Sequence, residues 1–290
     1  MNRPTNIKIS VFSTGRVKIR PKHIGPTRLP ELLWLISSRS WTSPKPINVY
    51  VIQHPKGIVV FDLGQDIASI TDKEYFPRGI IGWLYSRLAR FEISKSQTFI
   101  EGLSRLDISP RDISLAVISH LHQDHIGGLR YLDNRVTSIV VHPDEVADAI
   151  KVGSSLKGYL KQHIFLPNLK FRGPDFHTLG DSGPLRNVFG WDIFDDESLI
   201  ILHTPGHTSG SLSLLVRSPN ENPILLVGDL TYDVTLLSQG FVPGVGHRST
   251  LKKTSNWLLE LMSSIPELLI LAAHDPNADQ LLNASKAKTA

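Results

Sequence analysis

The chain has 290 residues, of which 41% are hydrophobic and 20% charged, and it carries a formal net charge of +4 without a cysteine. This length and apolar content suffice for a packed core, whereas the lack of cysteine excludes a disulfide scaffold, a cysteine-ligated zinc or iron–sulfur site and a thiol nucleophile. Because no apolar run reaches transmembrane length and the first residues lack a signal-peptide pattern, we expect a cytoplasmic protein that does not enter a membrane.

The N-terminal range 1–45 is strongly basic, since it holds nine lysines or arginines and one acid, Glu31. Such a basic arm is compatible with binding to nucleic acid or to an anionic surface. Its charges are scattered, however, without a dense basic block or interleaved aromatic residues, and this spacing is typical of a solvated surface. We therefore expect no nucleic-acid partner.

Short strand-like runs follow one another along the chain, with helical stretches between them. Two such runs, 47–54 and 58–62, flank Pro55-Lys56-Gly57 and predict a β-hairpin. The later predicted strands are 113–119, 137–142, 198–203, 211–217, 224–228 and 268–273. Helices are predicted after Pro143 and over 249–263. This order predicts a single domain over residues 1–290, an α/β protein with sheets inside and helices outside.

Two segments fall outside this pattern. In residues 74–92, Trp83, Leu84, Leu88 and Phe91 recur at helical spacing and predict an amphipathic helix. Residues 153–190 are rich in glycine and proline, which predicts an extended loop region. Both segments are candidates for insertions around a functional site.

The residues most indicative of chemistry lie at 119–128, SHLHQDHIGG, directly after a predicted strand. His120 and His122 project to the same side of an extended segment, whereas the adjacent Asp124 and His125 are expected to point apart, which suits a second metal ion. Gly127-Gly128 allow another backbone to pass close behind this stretch. Three histidines and a carboxylate within six residues predict a metal site.

Further candidate ligands follow later strands. The pattern His203-Thr-Pro-Gly-His207 offers two imidazoles, Asp229 ends one apolar run and His274 ends another. Each alone is more often structural, but the carboxyl ends of strands are where α/β folds place their chemistry. Together these residues supply the remaining ligands of a two-metal centre.

At this point the motifs resemble those of the metallo-β-lactamase superfamily: His-x-His-x-Asp-His at 120–125, Thr-Pro-Gly-His at 204–207, Gly-Asp at 228–229 and the final His274. The motif order covers residues 47–274. The resemblance implies a four-layered αβ/βα sandwich with the site at one edge, between two sheets. The sequence Phe61-Asp62-Leu63-Gly64 resembles the family's Asp-Thr-Gly turn, which implies that Asp62 orients a metal ligand from behind.

The resemblance also implies how two metal ions are held. It assigns His120, His122 and His207 to the first ion, Asp124, His125 and His274 to the second, and Asp229 to a bridging position. Imidazoles and carboxylates without sulfur suit Zn²⁺, with Mn, Co or Fe as alternatives. Since such a pair activates a bridging water and polarises a carbonyl or phosphoryl oxygen, hydrolysis is the expected reaction.

Several branches of the superfamily resemble the sequence less well. The β-lactamases lack the bridging aspartate, and flavodiiron proteins carry Glu at the position of His122. Thioesterases of the glyoxalase II type share all seven ligands but continue into a helical domain, whereas sixteen residues follow His274 here. RNA-processing members need additional domains or motifs that this sequence does not contain.

The N-acyl-homoserine lactonases resemble the sequence in size, in the N-terminal segment that leads to the strand of Tyr50, and in a tyrosine three residues after the bridging aspartate, here Tyr232. The implied reaction is quorum quenching, in which a metal-bridging hydroxide attacks the carbonyl of a small-molecule lactone. One metal ion and the Tyr232 hydroxyl then stabilise the oxyanion, and Asp124 passes a proton to the departing alkoxide. Two alternatives stay open: an ester, organophosphate or thioester hydrolase of the same superfamily, and a non-catalytic sensor or nucleic-acid-binding protein.

An acyl chain needs an apolar groove, and we place its wall or lid in the helix predicted at 74–92. The candidate lining residues are Phe76, Ile80, Trp83 and Leu84. The same helix is equally suited to a subunit contact, and we expect a homodimer because lactonases of this type are often dimers. Six histidines have no assigned role and are expected to be solvated or helix-capping, namely His23, His54, His142, His163, His177 and His247.

Overall fold

The computed structural model describes residues 3–179, 185, 188–219 and 221–287, and the strands within these ranges form two sheets. The strands are β1 Lys8–Ile19, β2 Lys45–His54, β3 Gly57–Phe61, β4 Ala89–Glu92, β5 Ile113–Val117, β6 Ser138–Val140, β7 Phe171–Arg172, β8 His177–Leu179, β9 Val188–Asp192, β10 Leu199–His203, β11 Leu212–Val216, β12 Ile224–Leu226 and β13 Leu269–Leu271.

Helices connect these strands. The α-helices are α1 Pro21–Ile24, α2 Glu31–Ser37, α3 Ala68–Thr71, α4 Gly79–Leu88, α5 Phe99–Ser104, α6 Gln123–Ile126, α7 Pro143–Ile150, α8 Lys161–Ile164, α9 Val234–Ser238, α10 Arg248–Ser264 and α11 Ala278–Ala287. Short 3₁₀ turns occupy Lys95–Gln97, Pro110–Asp112, Leu129–Tyr131 and Ser154–Lys157. Within the described ranges no helix is both long and apolar enough to span a bilayer.

The first sheet has the strand order β4-β1-β2-β3-β5-β6-β7, in which β1 to β3 pair antiparallel and β3, β5, β6 and β7 pair parallel. The second has the order β13-β12-β11-β10-β9-β8 and is antiparallel except for the parallel pair β12 and β13. The predicted hairpin is confirmed, because β2 pairs antiparallel with β3 across the Pro55-Lys56 turn.

Strands of both sheets bury both faces, because successive side chains on a strand point to opposite sides. In β2, Val49 and Val51 pack with residues of α5, α7 and α8, whereas Tyr50 and Ile52 pack against the second sheet. Alternate residues of β10 likewise contact either the first sheet or α10. The result is a helix–sheet–sheet–helix order, so the predicted four-layered α/β sandwich is confirmed.

The segment 74–92 differs from its prediction. Only Gly79–Leu88 is helical, after Pro77, and Ala89–Glu92 forms β4. This strand pairs with Arg16–Ile19 of β1, with Phe91 opposite Val17. Pairing with an available sheet edge therefore overrides the helical spacing of Phe91.

The range 153–190 also differs from the predicted loop. It contains α8 and three strands, β7 to β9, which extend both sheets at their edges. Residues 180–184, 186 and 187 of this range lie outside the described residues. The basic range 1–45 supplies β1, which lies between β2 and β4, and the fully buried Trp34, so its charge belongs to an integral part of the sheet.

Candidate metal centre

The loops that follow five strands meet at one edge of the two sheets. These loops carry Asp62 after β3, His120 to His125 after β5, His207 after β10, Asp229 after β12 and His274 after β13. All seven sequence-predicted ligands are therefore brought together. Apart from His122 and Asp124, which are partly exposed, they are buried.

The first group of candidate ligands contains His120, His122 and His207. Nδ1 of His122 lies 3.0 Å from Nε2 of His120 and 3.1 Å from Nε2 of His207. Nitrogens bound at the usual Zn–N distance in a tetrahedral site stand about 3.3 Å apart. Both separations from Nδ1 of His122 are therefore close to the spacing in a tetrahedral metal site, and all three ring nitrogens lie within 4.8 Å of one another.

The second group contains Asp124, His125 and His274. The Asp124 carboxylate lies 3.6 Å from Nε2 of His274 and 3.9 Å from Nε2 of His125. The expectation that Asp124 and His125 point apart is wrong, because both sit on the single turn of α6 and their ends approach each other. Their assignment to a common group is nevertheless supported by this geometry.

The Asp229 carboxylate faces both groups. Its Oδ1 lies 3.5 Å from Nε2 of His125 and 3.4 Å from Nε2 of His274, while its Oδ2 lies 3.7 Å from Nε2 of His207. A carboxylate in this position can bridge two cations. No other carboxylate is described this close to histidines of both groups.

The outward nitrogen of three of these histidines donates a hydrogen bond to a fixed oxygen. His125 Nδ1 donates to Asp62 Oδ2 at 2.8 Å, His274 Nδ1 donates to the carbonyl oxygen of Pro46 at 2.8 Å, and His122 Nε2 donates to the carbonyl oxygen of Lys157 at 2.9 Å. Such contacts fix the tautomer and the ring orientation of metal-binding histidines. In the neutral form of each ring, the inward nitrogen is thereby left with a free lone pair.

Asp62 contacts His125 at the position from which the sequence analysis predicts it to orient a ligand. It also accepts hydrogen bonds from the backbone N–H and the hydroxyl of Ser119, at 2.7 and 2.8 Å. Its backbone adopts a left-handed conformation with φ of 59°, which Asp tolerates better than most residues. The turn after β3 thus holds both His125 and the start of the histidine-rich loop.

The electrostatics of the site favour neutral imidazoles in the first group. Burial and the neighbouring rings of His125 and His122 lower the pKa of His120 well below its ordinary value, and burial also lowers the pKa of His207 well below normal. Burial opposes the charged form of His125 as well, but Asp62 and Asp229 outweigh it and raise that pKa. Neutral imidazole is the form that binds a metal ion.

Buried polar atoms of the candidate ligands lack hydrogen-bond partners within the described ranges, among them Nδ1 of His207 and two atoms that face each other. Nε2 of His125 and Oδ1 of Asp229 have no hydrogen bond among the described residues. Unpaired polar atoms are costly to bury, and a cation between them would satisfy both. The donor set, its spacing and these two atoms fit divalent metal ions.

Tyr232 lies beside the bridging carboxylate. Its hydroxyl donates a 2.5 Å hydrogen bond to Asp229 Oδ2, and its ring stacks on His274 with centroids 5.5 Å apart. Burial and the charge of Asp229 raise the pKa of Tyr232 well above its ordinary value, so the phenol keeps its proton. The hydroxyl predicted to be a donor is therefore in contact with one candidate ligand, and its ring is in contact with another.

The sequence analysis missed several residues of this site. His23, expected to be solvated or capping, is buried with Nε2 2.9 Å from the Tyr232 hydroxyl. Among the other histidines that were expected to be solvated or helix-capping, His54 is also buried, whereas His142 caps α7 as expected. Glu145 is fully buried and accepts hydrogen bonds from the backbone of Leu121 and Gly210, at 3.0 and 3.1 Å. A charged residue at a buried position of an amphipathic helix was the available signal for Glu145.

A further group of potential ligands, His142, Asp144 and His203, lies apart from the centre. The two rings are stacked with centroids 4.1 Å apart and planes within 8° of parallel. In-plane lone pairs of parallel stacked rings do not converge on one ion. His203 is therefore a strand-end residue, as the sequence predicts, and the stack is a packing contact.

The four candidate pocket residues separate into two environments. Leu84 packs in the apolar cluster that contains Tyr232, and Phe76 packs with Tyr75 and Tyr85. Ile80 and Trp83, by contrast, are 74% and 47% exposed on the outer side of α4. Of the three candidate pocket residues on α4, Leu84 is thus the one that packs in the same cluster as Tyr232.

Comparison with known proteins identifies relatives of this site and fold. A family model described as the metallo-beta-lactamase superfamily matches residues 42–274. The chain is 29% identical over 233 residues to N-acyl homoserine lactonase AttM of Rhizobium radiobacter, covering 80% of this chain and 83% of that protein. It is 26% identical over 269 residues to an N-acyl homoserine lactonase of Bacillus sp., covering 92% of this chain and 93% of the relative.

Solved structures share the fold. An N-acyl homoserine lactone hydrolase with N-hexanoyl-L-homoserine bound at its catalytic metal centre superposes with a TM-score of 0.74 at 20% identity, covering 97% of this chain and 96% of the other. AidC, described as a dizinc quorum-quenching lactonase, superposes with a TM-score of 0.62 at 17% identity, covering 94% and 89%. At these identities the superpositions establish the common fold.

Proposed function

The chain belongs to the metallo-β-lactamase superfamily, and we propose that it opens the lactone ring of N-acyl homoserine lactones with the help of two divalent metal ions, of which Zn²⁺ suits the ligands best. One observation carries the proposal: the hydroxyl of Tyr232 donates a 2.5 Å hydrogen bond to a carboxylate that faces two sets of candidate metal ligands. The names of the similar lactonases support the same substrate class.

In this proposal His120, His122 and His207 hold one ion, Asp124, His125 and His274 hold the other, and Asp229 contacts both. The two ions supply Lewis acidity and a water molecule of lowered pKa when they are bound. The chain's own contribution is to keep the ligand rings in one orientation, through the contacts to Asp62, Pro46 and Lys157.

Tyr232 stabilises the reacting carbonyl group. Its hydroxyl rotates from Asp229 to the carbonyl oxygen of the lactone as that oxygen becomes anionic. A hydrogen bond aimed at developing charge in a buried site is worth more in the transition state than in the ground state. Because burial keeps the phenol protonated, the donor is available at neutral pH.

Asp124 takes the proton that the attacking water loses as its oxygen bonds to the carbonyl carbon, and it delivers this proton to the ring oxygen as the C–O bond of the ring breaks. Its side chain is 18% exposed, against 1% for His125, 2% for His274 and 5% for Asp229. Among the proposed ligands, Asp124 is thus a carboxylate that a substrate can reach from the solvent. A carboxyl group placed there can act as general acid toward the alkoxide.

Product analysis tests the proposal. Metal-loaded protein is incubated with N-hexanoyl and N-decanoyl homoserine lactone, with p-nitrophenyl acetate, methyl paraoxon and a glutathione thioester in parallel. We expect ring-opened N-acyl homoserine, heavier than the lactone by one water, and a rate that a chelator abolishes. Turnover of another substrate with both lactones intact would replace the lactonase proposal by another hydrolase of the superfamily.

A further inference from the structure

Tyr232 has a second polar partner that is not a candidate metal ligand. Nε2 of His23 lies 2.9 Å from the phenol oxygen, and the two rings meet edge to face with centroids 5.1 Å apart. His23 is 8% exposed and also packs edge to face against the fully buried Trp34. It belongs to α1, far along the chain from the metal-ligand motifs.

The direction of these hydrogen bonds follows from the number of protons. The phenol has one proton, and its 2.5 Å contact with the Asp229 carboxylate requires that proton. The phenol oxygen can then only accept from His23, so Nε2 of His23 carries hydrogen. Nδ1 of His23 has no hydrogen-bond partner among the described residues, which agrees with a bare lone pair there.

The ionisation state of His23 agrees with this assignment. Burial lowers the pKa of His23 to about 4, and the nearby carboxylates of Asp229 and Asp124 only partly oppose this. The ring is therefore neutral near pH 7 and carries a single N–H. A neutral donor fixes the phenol oxygen without adding a positive charge next to the metal ligands.

We propose that His23 is a positioning residue for the reaction: its Nε2–H holds the phenol oxygen of Tyr232 in place while the O–H of Tyr232 turns from Asp229 toward the substrate. The inference rests on the proposed function, since it assigns Tyr232 the hydroxyl that meets the substrate. Accepting a hydrogen bond also makes the phenol a stronger donor, because hydrogen bonds in a chain polarise one another. The effect should appear in kcat, because this bond acts in the transition state more than in substrate binding.

Two variants of His23 distinguish the effect of its hydrogen-bond donor from the effect of its side-chain volume. Gln in place of His23 brings an amide N–H close to the position of Nε2, whereas Leu fills similar space without a donor. For metal-loaded protein we expect H23L to lower kcat about three- to tenfold, the range of one net hydrogen bond, with KM little changed. H23Q should stay within about threefold of the wild type.

The decisive experiment compares H23L with its parent in the Y232F background. If His23 acts through the Tyr232 hydroxyl, H23L changes kcat by less than about twofold once that hydroxyl is absent. An equal loss in both backgrounds, or an H23Q variant as slow as H23L, would overturn the inference. Melting temperatures of all variants identify any loss that comes from unfolding.

A measurement without turnover keeps this inference separate from the proposed function. Long-range ¹H–¹⁵N NMR of the wild-type protein reports which nitrogen of His23 bears hydrogen. We expect the Nε2–H tautomer at pH 7, and an Nδ1–H tautomer would overturn the inference whatever the protein hydrolyses. If the lactones are not substrates, the kcat comparison is made on the ester that the wild type does turn over.

Discussion

His122 donates a hydrogen bond from Nε2 to the carbonyl oxygen of Lys157, at 2.9 Å, and this bond turns Nδ1 of the same ring toward His120 and His207. The carbonyl belongs to the 3₁₀ turn Ser154–Lys157, which lies far along the chain from the histidine-rich loop. The candidate metal centre thus depends on a turn outside the ligand motifs.

The residue after that carbonyl provides a sharp test. Gly158 has φ of 94°, and a Cβ there would lie 2.5 Å from Cδ2 of His122. We expect G158A to displace the ring and to lower metal affinity and kcat/KM by about 10- to 100-fold, the effect typical of lost orienting contacts. Metal analysis and steady-state kinetics measure both.

Gly153 is a matched control for this substitution. It begins the same turn with φ of 77°, but a Cβ there meets nothing within 4 Å. G153A therefore pays the same kind of backbone strain, about 1 kcal/mol of unfolding free energy, and should keep its metal. Equal metal loss in G153A and G158A would show that strain in the turn, rather than contact with His122, matters.

Asp62 is expected to control the second group of ligands. In D62N, one oxygen of the side chain becomes an amide nitrogen. This nitrogen cannot accept a hydrogen bond, so the side chain can no longer accept all the hydrogen bonds that His125 and Ser119 donate to Asp62. We expect metal affinity to fall about 10- to 100-fold, measured by competition with a chelating dye. D66N is the control, because Asp66 lies in the same loop and pairs with Arg130 at 2.9 Å; an equal effect of both variants would contradict the assigned role.

Removing the hydroxyl of Tyr232 separates catalysis from stability. We expect Y232F to lower kcat for an N-acyl homoserine lactone by about 100- to 1,000-fold, the size of an oxyanion donor, with a smaller effect on p-nitrophenyl acetate. Y50F is the control, since the buried Tyr50 donates at 2.8 Å to the carbonyl oxygen of Ala272 instead. Y50F should lower the melting temperature and leave kcat within about twofold.

The buried His23 predicts how stability depends on pH. Its folded-state pKa of about 4 lies below the ordinary value of 6.5, so the unfolded chain binds the extra proton first as the pH falls. The unfolding free energy contributed by His23 is therefore complete above pH 6.5 and is lost between pH 6.5 and 4, by up to about 3 kcal/mol. Denaturation across this range measures it.

The comparison uses H23L and, as a control, H177L, because His177 is exposed. Acidification should destabilise the wild type and H177L more steeply than H23L. Parallel loss of stability in all three proteins would assign the acid sensitivity to other groups.

Much of the site was accessible from the sequence because metal ligands cluster in short motifs at strand ends. The stretch 120–125, His207, Asp229 and His274 each follow an apolar run, and the structure brings them together. The superfamily and the layered α/β fold follow from the same motifs and are confirmed. Local patterns were sufficient there because the ligands are attached to the ends of buried strands.

The residues that support the ligands were not accessible in this way. His23, Lys157 and Gly158 come from segments without a motif, and they meet the site only through tertiary packing. Similarly, the helical spacing of Phe91 did not reveal that a sheet edge was available to it. The homodimer, the cytoplasmic location and the single domain over 1–290 stay predictions.

The most direct test of the account is the chelator-sensitive kcat/KM for N-hexanoyl homoserine lactone relative to that for p-nitrophenyl acetate, measured on protein whose metal content has been determined. We predict about two divalent ions per chain, a strong preference for the lactone, and loss of activity on chelation that returned Zn²⁺ reverses. Lactone turnover that survives complete metal removal, or metal-dependent turnover of the aryl ester alone, would contradict the account.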